Sequence, residues 1–265
     1  MTTPKINNPY QESLLVEAIA TYYPDMVQIY IPKQPIVRRP SGFEKEHYGS
    51  TSDESERETD IERSLRRAAR KIGDYILCNP FDLFVTFTIK DDRQNAERSK
   101  QKVMGWLKNQ RNRNGKFRYI VVPEYHKDGK SLHFHALIGG FSGKIERAIN
   151  PKTKKPLVQQ GRAVYAISGY TLGFTNAKLV GSKSEDRAKL SAYLKKYITK
   201  EMPIFKGRQR YWVSKGLELP LTENNPEEWY KHTKPDWSLK TENGTIMRFD
   251  LNKNLLVDMF WKEND

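Results

Sequence analysis

Two histidines separated by one residue are this chain's clearest candidates for metal chemistry. His133, Phe134 and His135 lie in the apolar run SLHFHALI at residues 131–138, which has the length and composition of a β-strand. Successive side chains of a strand point to opposite faces, so both imidazoles project to one side while Phe134 points into the core. Imidazole is the commonest protein ligand for metal ions, and two of them here converge on one point.

A carboxylate is expected beside these histidines. The Asp128-Gly129 pair between two apolar runs predicts a hairpin with a two-residue type I′ turn. In that register Glu124 lies directly opposite His133, with Cβ atoms about 5 Å apart. A buried carboxylate beside two imidazoles is costly unless a charged partner neutralises it. The sequence therefore predicts a divalent metal site formed by Glu124, His133 and His135.

Other interpretations of this hairpin stay open. Histidine pairs at strand spacing also occur on solvated faces. Pro123 cannot donate to the ladder, and a bulge there would shift the register by one residue and turn Glu124 to the other face. His126 lies on the ligand face in the predicted register, either as a further ligand or as an exposed residue beside the turn.

A second motif, sixty residues later, offers a nucleophile. Residues 184–202 begin with an N-cap and acidic residues and predict a helix that ends before a proline. Tyr193 and Tyr197 are neighbours on one face of this helix, and Lys196 and Lys200 each follow a tyrosine by three positions. A nearby positive charge favours the phenolate, which is the nucleophilic form. An amphipathic helix with half-buried tyrosines and solvated lysines explains the same pattern without chemistry.

The composition favours a nucleic-acid partner. The 46 Lys and Arg against 32 Asp and Glu give a formal net charge of +14, which attracts phosphate. Basic and aromatic residues alternate in one segment, where a DNA backbone could be tracked and bases stacked. The DNA-binding residues predicted there are Arg208, Arg210, Tyr211 and Trp212. A solvated basic face is the alternative meaning of such a cluster.

Length and composition limit the remaining possibilities. With 265 residues the chain is long enough for one domain with extensions, or at most two domains. A single cysteine, Cys78, excludes an intrachain disulfide and suits a reducing compartment. No apolar run approaches the roughly 20 residues of a membrane span, and the N-terminus lacks the pattern of a signal peptide. We therefore expect a cytoplasmic protein without a membrane partner.

The order of elements predicts an α+β fold, with an antiparallel sheet of about five strands and flanking helices. Residues 49–60 are polar and are expected to be a linker. The predicted helices cover residues 61–77, 94–113 and 184–202. The predicted strands cover residues 83–90, 117–125, 132–139, 163–168, 171–180 and 210–213, with a basic loop at 152–162.

In combination these motifs resemble the HUH endonucleases, and among them the two-tyrosine rolling-circle replication initiators of phages and plasmids. Residues 84–88 (FVTFT) resemble the first family motif, Glu124 with residues 133–135 the metal motif, and the double-tyrosine run the third. Residues 208–217 resemble the strand that closes the domain in phage and plasmid members. The resemblance covers about residues 83–217 and implies an RRM-like palm.

The resemblance implies a nuclease domain at residues 61–217 with a basic lead-in helix. Residues 1–60 are then an N-terminal extension, partly flexible, and residues 218–265 a C-terminal extension. It also implies Mg²⁺ or Mn²⁺ as the cofactor and single-stranded or locally melted origin DNA as the substrate. A host helicase and polymerase are the expected partners, because the chain has no phosphate-binding Gly-x-x-x-x-Gly-Lys motif of its own.

The resemblance further implies metal-assisted transesterification, with a 5′-phosphotyrosyl intermediate and a free 3′-OH. Tyr197, or alternatively Tyr193, is the expected nucleophile, and Lys196 and Lys200 would position phosphate or stabilise the phenolate. Relaxases and single-strand transposases use the same chemistry, but relaxases usually place the tyrosine before the histidines and transposases are usually shorter. A non-catalytic RRM-like protein that binds single strands is the alternative of another class. A zinc hydrolase is disfavoured, because no His-Glu-x-x-His or cysteine ligand set is present.

Overall fold

The computed structural model describes residues 14–38, 54–181, 183–199, 201–203 and 205–251, with the backbone alone for 54–59 and 208. The chain divides into two compact units. One unit spans Asp53–Leu219 and the other combines Met1–Ser52 with Pro220–Asp265.

The described ranges contain short and long strands and helices, which we number in chain order. The strands are β1 (Leu14–Val16), β2 (Ile19–Tyr23), β3 (Met26–Pro32), β4 (Ile36–Arg38), β5 (Leu83–Thr88), β6 (Arg118–Tyr125), β7 (Leu132–Gly139), β8 (Ile145–Arg147), β9 (Val158–Gln159), β10 (Arg162–Ala163), β11 (Tyr165–Ile167), β12 (Thr175–Leu179), β13 (Trp212–Val213), β14 (Leu221–Asn224), β15 (Trp237–Thr241) and β16 (Gly244–Asp250). The helices are α1 (Glu54–Cys78), α2 (Ala96–Asn114), α3 (Ser184–Lys195) and α4 (Trp229–His232). None of the helices in these ranges has the length and apolar character that crossing a membrane requires.

The unit at Asp53–Leu219 is built on a seven-stranded sheet with the order β13-β6-β7-β5-β12-β11-β8. Every pairing in this sheet is antiparallel. The predicted α+β class with an antiparallel sheet is confirmed, with two strands more than expected. Strand β7 lies between β6 and β5, so the histidine strand is flanked by a strand on each side.

One face of this sheet packs against α2. Alternate residues of the central strands, such as Val85, Phe87 and Phe134, are fully buried there against Val103 and Leu107 of the helix. Helix α2 begins where the Asn95 side chain accepts a hydrogen bond from the Arg98 N–H at 3.1 Å, which satisfies a donor that the first helical turn leaves open.

The opposite face packs against α1 and α3. Phe84 and Leu137 lie there in a cluster with Ile72 and Ile76 of α1 and Leu194 of α3. Helices α1 and α3 approach each other at Gly73, where an added Cβ would lie 2.6 Å from Lys195 Nζ and 3.1 Å from Ser191 Oγ. The absence of a side chain at Gly73 therefore allows the two helices to pack closely over this face.

Two segments differ from their sequence-based expectation. Helix α1 begins at Glu54, inside residues 49–60 that we expected to be a linker. Exposed ion pairs one turn apart, such as Arg63–Asp60 at 2.7 Å, accompany its first turns. The expected basic loop at 152–162 contains a hairpin, in which Gln160 and Gly161 both have positive φ, as a type I′ turn requires.

The second unit, built from both ends of the chain, contains a five-stranded antiparallel sheet with the order β14-β2-β3-β16-β15. Strand β3 pairs with β16 over seven residues, although more than 200 residues separate them in sequence. Val27, Ile29 and Phe249 form its core with Tyr230 of α4. The terminal segments that carry no family resemblance thus have a core of their own.

The positive charge of the chain is confined to the histidine-bearing unit. Lys and Arg outnumber Asp and Glu by 35 to 18 in residues 53–219, whereas acidic residues prevail by 14 to 11 in the remainder. Attraction to phosphate is therefore a property of the seven-stranded unit.

We expect Leu137→Ala to lower the free energy of unfolding by about 2–5 kcal/mol, because it opens a cavity under α1 and α3. Leu137 is fully buried on β7. Leu179→Ala is the matched control, since Leu179 of the same sheet is 55% exposed and its truncation should cost about 0.5 kcal/mol or less. Urea unfolding of both variants measures the difference, and equal losses would contradict the described packing.

Candidate active site

The register of β6, β7 and β5 brings the predicted metal ligands together. Glu124 pairs directly with His133, as the sequence predicted. The ladder runs through Pro123 without a bulge. Strand β13 pairs only with Ile120 and Val121 of β6, so Pro123 lies where β6 has no neighbour on its second side. A proline is tolerated at such an edge position, because no ladder N–H is required there.

The turn that sets this register differs from the one predicted. Of its central residues only Gly129 has a positive φ, 65°, whereas a type I′ turn requires two. The Gly129 N–H donates to the carbonyl of His126 at 2.8 Å. The Asp128 carboxylate accepts hydrogen bonds from the N–H groups of Lys130 and Ser131 and from the Ser131 hydroxyl. These side-chain bonds stabilise a longer loop that preserves the predicted strand pairing.

His135 is held on two sides by polar partners. Its Nε2 lies 2.6 Å from Glu124 Oε2, and its Nδ1 lies 3.2 Å from Thr86 Oγ1. The side chain of His135 is 8% exposed and that of Glu124 is 40% exposed. The Glu124 contact requires a proton on Nε2, so Nδ1 accepts from the Thr86 hydroxyl in the neutral imidazole. The ring orientation is thus fixed by β5 and β6 together.

His133 lies on the same face, farther toward the hairpin loop. Its ring centroid is 6.5 Å from that of His135 and 4.8 Å from that of His126. Burial, followed by the neighbouring imidazoles of His126 and His135, lowers the pKa of His133 below its ordinary value. At neutral pH this imidazole is therefore uncharged, the state in which it can ligate a metal ion.

The tyrosine segment meets the histidines at the end of α3. The helix ends at Lys195, and the predicted extension to residue 202 is wrong. Lys196 and Tyr197 donate to carbonyls three residues back, Tyr193 O and Leu194 O, both at 3.2 Å, which is the tighter bonding of a terminal 3₁₀-type turn. The two tyrosines are nevertheless neighbours, as predicted, because the Tyr197 hydroxyl donates to the Tyr193 hydroxyl at 2.7 Å.

Tyr197 stacks directly on the histidine that Glu124 holds. The rings of Tyr197 and His135 are 3.9 Å apart with an interplanar angle of 16°. Tyr193 packs edge-on against Phe84 at 5.2 Å, and Phe84 in turn lies nearly parallel to His135 at 5.8 Å. A carboxylate, two imidazoles and two phenols from β6, β7 and the end of α3 thus form one cluster on one face of the sheet.

The electrostatics of Tyr197 favour the neutral phenol. Burial is the main cause that raises its pKa, and the hydrogen bond to Tyr193 and the negative charge of Glu124 add to it. Lys196 does not offset this, because its Nζ lies 5.8 Å from the centroid of the Tyr193 ring. Lys200, the other predicted lysine, lies outside the described residues.

Two of the predicted DNA-binding residues, Arg210 and Tyr211, lie beside α1. With Arg67 and Lys71 they line a cavity of about 540 Å³. A row of arginines continues along the helix at spacings of three and four residues and lines a further concave surface of about 420 Å³. Its members are Arg63, Arg66, Arg67 and Arg70.

Trp212, which was predicted with them, is not part of this surface. It packs edge-on against Phe205 at 4.7 Å and contacts the cluster on the α2 face of the sheet, opposite the histidines. Its Nε1–H donates to Gln209 Oε1 at 2.8 Å. The side chain of Arg208 lies outside the described residues.

Thr86 and Phe84 are site residues that sequence reasoning did not single out individually. Both lie on β5, in the segment that resembles the first family motif, and Thr86 pairs with His135. The signal was present as alternation along residues 84–88, but only the pairing of β5 with β7 makes it interpretable. A threonine hydroxyl can donate or accept, so Thr86 can hold either tautomer of His135.

The predicted metal ligands have suitable chemistry, but they do not surround a common point. Glu124 is hydrogen-bonded to His135 directly, and in the described part of the chain no three His, Cys, Asp or Glu side chains are spaced to hold an ion. Two imidazoles and a carboxylate on one sheet face fit Mg²⁺ or Mn²⁺ as a donor set. Binding an ion there requires the Glu124–His135 hydrogen bond to open.

Comparison with known proteins places this site within a family match. Residues 82–202 match the family model described as replication-associated protein ORF2. The matched segment contains Glu124, both β7 histidines and both tyrosines. No curated protein sequence matches the chain significantly, and neither does any solved structure. The family match supports a role in the initiation of replication.

We expect Asp128→Asn to destabilise the hairpin at neutral pH. The hydrogen bonds from Ser131 and Lys130 hold the pKa of Asp128 well below its usual range. A depressed folded-state pKa adds stability above the unfolded value of about 3.9, and this contribution is lost as pH falls. The gap in urea midpoint between wild type and variant should therefore narrow below about pH 4. Lys130→Ala, which keeps the backbone N–H, is the control, and a gap that is constant from pH 7 to pH 3 would contradict this role.

Proposed function

We propose that this protein initiates rolling-circle replication by cutting single-stranded or locally melted origin DNA with a tyrosine nucleophile. The observation that carries the proposal is the stacking of Tyr197 on His135 at 3.9 Å. This contact joins the tyrosine segment to the carboxylate and imidazoles of the β6–β7 hairpin. The family match over residues 82–202 supports the same role.

Glu124, His133 and His135 would hold the divalent cofactor, Mg²⁺ or Mn²⁺. When bound, the ion supplies positive charge that polarises the scissile phosphate and stabilises charge that develops on its oxygens. His133 is suited to ligation because its lowered pKa keeps it neutral at pH 7. Thr86 supports ligation through His135 Nε2, since its hydroxyl can accept a proton from Nδ1 in that tautomer.

The chemical step is a transesterification. The Tyr197 hydroxyl oxygen attacks the phosphorus, the bond from phosphorus to the 3′ oxygen breaks, and a 5′-phosphotyrosyl ester and a 3′-OH result. The phenol proton leaves along the existing hydrogen bond to Tyr193, whose side chain is 43% exposed and reaches solvent. The 3′ oxygen takes up one proton, so the exchange is balanced. Because burial raises the pKa of Tyr197, its ionisation depends on positive charge near the hydroxyl.

Two tyrosines allow the reaction to alternate. One hydroxyl holds the first cut strand while the other cuts when replication returns to the origin, and reversal of the same step rejoins the ends. We propose Tyr197 as the first nucleophile and Tyr193 as the second. Lys196, over the Tyr193 ring, is placed to contact a phosphate near it. Lys200 is proposed for the same purpose beside Tyr197. The partners proposed are a cytoplasmic host helicase and polymerase, which would extend the free 3′-OH.

We expect the Tyr193→Phe, Tyr197→Phe double variant to form no covalent adduct with origin-derived single-stranded DNA in Mn²⁺. Removing both hydroxyls removes the nucleophile while the rings keep their packing. A denaturing gel with labelled DNA detects the protease-sensitive adduct, and the single variants rank the two tyrosines. Tyr165→Phe on β11, three strands from β7, is the control. An adduct that persists in the double variant would sink the assignment of the nucleophiles.

We expect His133→Ala and His135→Ala each to weaken Mn²⁺ binding by more than about tenfold, because each removes a ligand that no neighbour replaces. Titration calorimetry of the full chain measures the change without requiring DNA or cleavage. His232→Ala, which removes a histidine of α4 in the other unit, should bind like wild type. The same titration with His126→Ala decides whether His126 is a further ligand. Wild-type affinity in both His133→Ala and His135→Ala would refute the metal site.

A further inference from the structure

Phe174 presents an exposed aromatic ring on a fixed backbone. Its side chain is 82% exposed, the highest value among the large apolar side chains that the structure describes as exposed. Its N–H donates to Thr88 Oγ1 at 3.0 Å, and its carbonyl accepts from the Thr88 N–H at 2.9 Å and from the Thr88 hydroxyl at 3.0 Å. The ring is thus held in solvent by three hydrogen bonds to its backbone.

The residues before Phe174 bring its backbone close to β5. An added Cβ at Gly173 would lie 2.3 Å from the carbonyl oxygen of Thr88, so only glycine fits at this approach. The Tyr170 hydroxyl donates to the same carbonyl at 3.1 Å. Thr88 pairs with His133 on its other side. Phe174 therefore lies across one strand from a predicted metal ligand, beside the face that carries the histidines.

A cavity of about 720 Å³ lies between Phe174 and His133. This volume falls in the range of small-molecule sites, about 300–1,000 Å³. Its lining includes the exposed cations Lys90 and Arg93, and among the described residues neither has an ion-pair partner. The carboxylate in the lining, Asp128, is engaged by the N–H groups and hydroxyl of its own loop. The cavity thus combines a free aromatic face with free positive charge.

We propose that this cavity binds one unpaired DNA base next to the scissile phosphate, with the base stacked on Phe174. Lys90 and Arg93 contact the adjoining phosphates. Stacking of bases on aromatic rings beside cationic side chains is the general mode of single-strand binding. A base inside a duplex is stacked on its neighbours and cannot occupy the cavity, so the site selects single strands. This inference rests on the proposed function, because it takes the phosphate beside His133 as the reacting one.

The test measures binding in EDTA, where cleavage cannot contribute. The full chain is titrated into a labelled 12-nucleotide strand, with 2-aminopurine placed at successive positions in a series of otherwise identical strands. Stacking on Phe174 quenches the fluorescence of one position. Phe174→Ala should abolish that quench and weaken binding by about 5- to 150-fold, the factor that corresponds to one stacked base. Phe174→Trp should restore both.

Two controls separate stacking from other effects. Phe174→Leu keeps an apolar side chain without a π face, so it should behave like Phe174→Ala. Trp237→Ala removes an exposed aromatic ring from the other unit and should bind like wild type. The thermal unfolding of each variant checks the fold. Wild-type affinity in Phe174→Ala, or full recovery in Phe174→Leu, would overturn the proposal.

The outcomes also distinguish this inference from the proposed function. If wild type forms the Mn²⁺-dependent adduct and Phe174→Ala keeps the quench, the nuclease stands and the base site fails. If the quench depends on Phe174 but no adduct forms with any strand, the base site stands and the nuclease fails. Binding of a matched duplex as tightly as the single strand would contradict the selection of unpaired bases. Failure of wild type to bind any strand would overturn both.

Discussion

The pairing of β7 with a strand on each side fixes the position of every donor in the candidate site. Glu124 opposes His133 across one ladder and Thr86 opposes His135 across the other. Because side chains alternate along each strand, a shift of either ladder by one residue would send a partner to the α2 face. Phe134, fully buried between the two histidines in sequence, ties this register to the packing of the core. The polar cluster is therefore stabilised by apolar burial on the other side of the sheet.

The helices over the histidine face cover only part of it. Phe84 and Leu137 are buried beneath α1 and α3, whereas Glu124 and His133, toward the hairpin loop, stay partly exposed. Tyr197 lies at this boundary, stacked on a buried imidazole. One face of one sheet thus supplies both the apolar support that orders the side chains and the access that a polymeric substrate needs. The confinement of the positive charge to this unit is consistent with that arrangement.

Local patterns in the sequence predicted much of the site, and long-range pairing accounts for what they missed. The spacing of His133 and His135 and the position of Glu124 follow from strand alternation and a short hairpin, which are local features. The type of the turn did not follow, because three hydrogen bonds to Asp128 stabilise a different loop. The role of Thr86 depends on which strand borders β7, and no short-range signal carries that. The pairing of β3 with β16 joins segments more than 200 residues apart and was likewise beyond local reasoning.

The end of α3 at Lys195 makes the two phenols mechanically unequal. Tyr193 belongs to a helix that is packed against α1, so its backbone moves only with the helix. Tyr197 belongs to the short turn beyond it, where a change in a few dihedral angles can reorient the side chain while α3 keeps its contacts. In the proposed exchange, a strand esterified to Tyr193 would be anchored to a rigid support, and one esterified to Tyr197 would be attached through a short tether. Strand transfer would then need only the tethered end to travel.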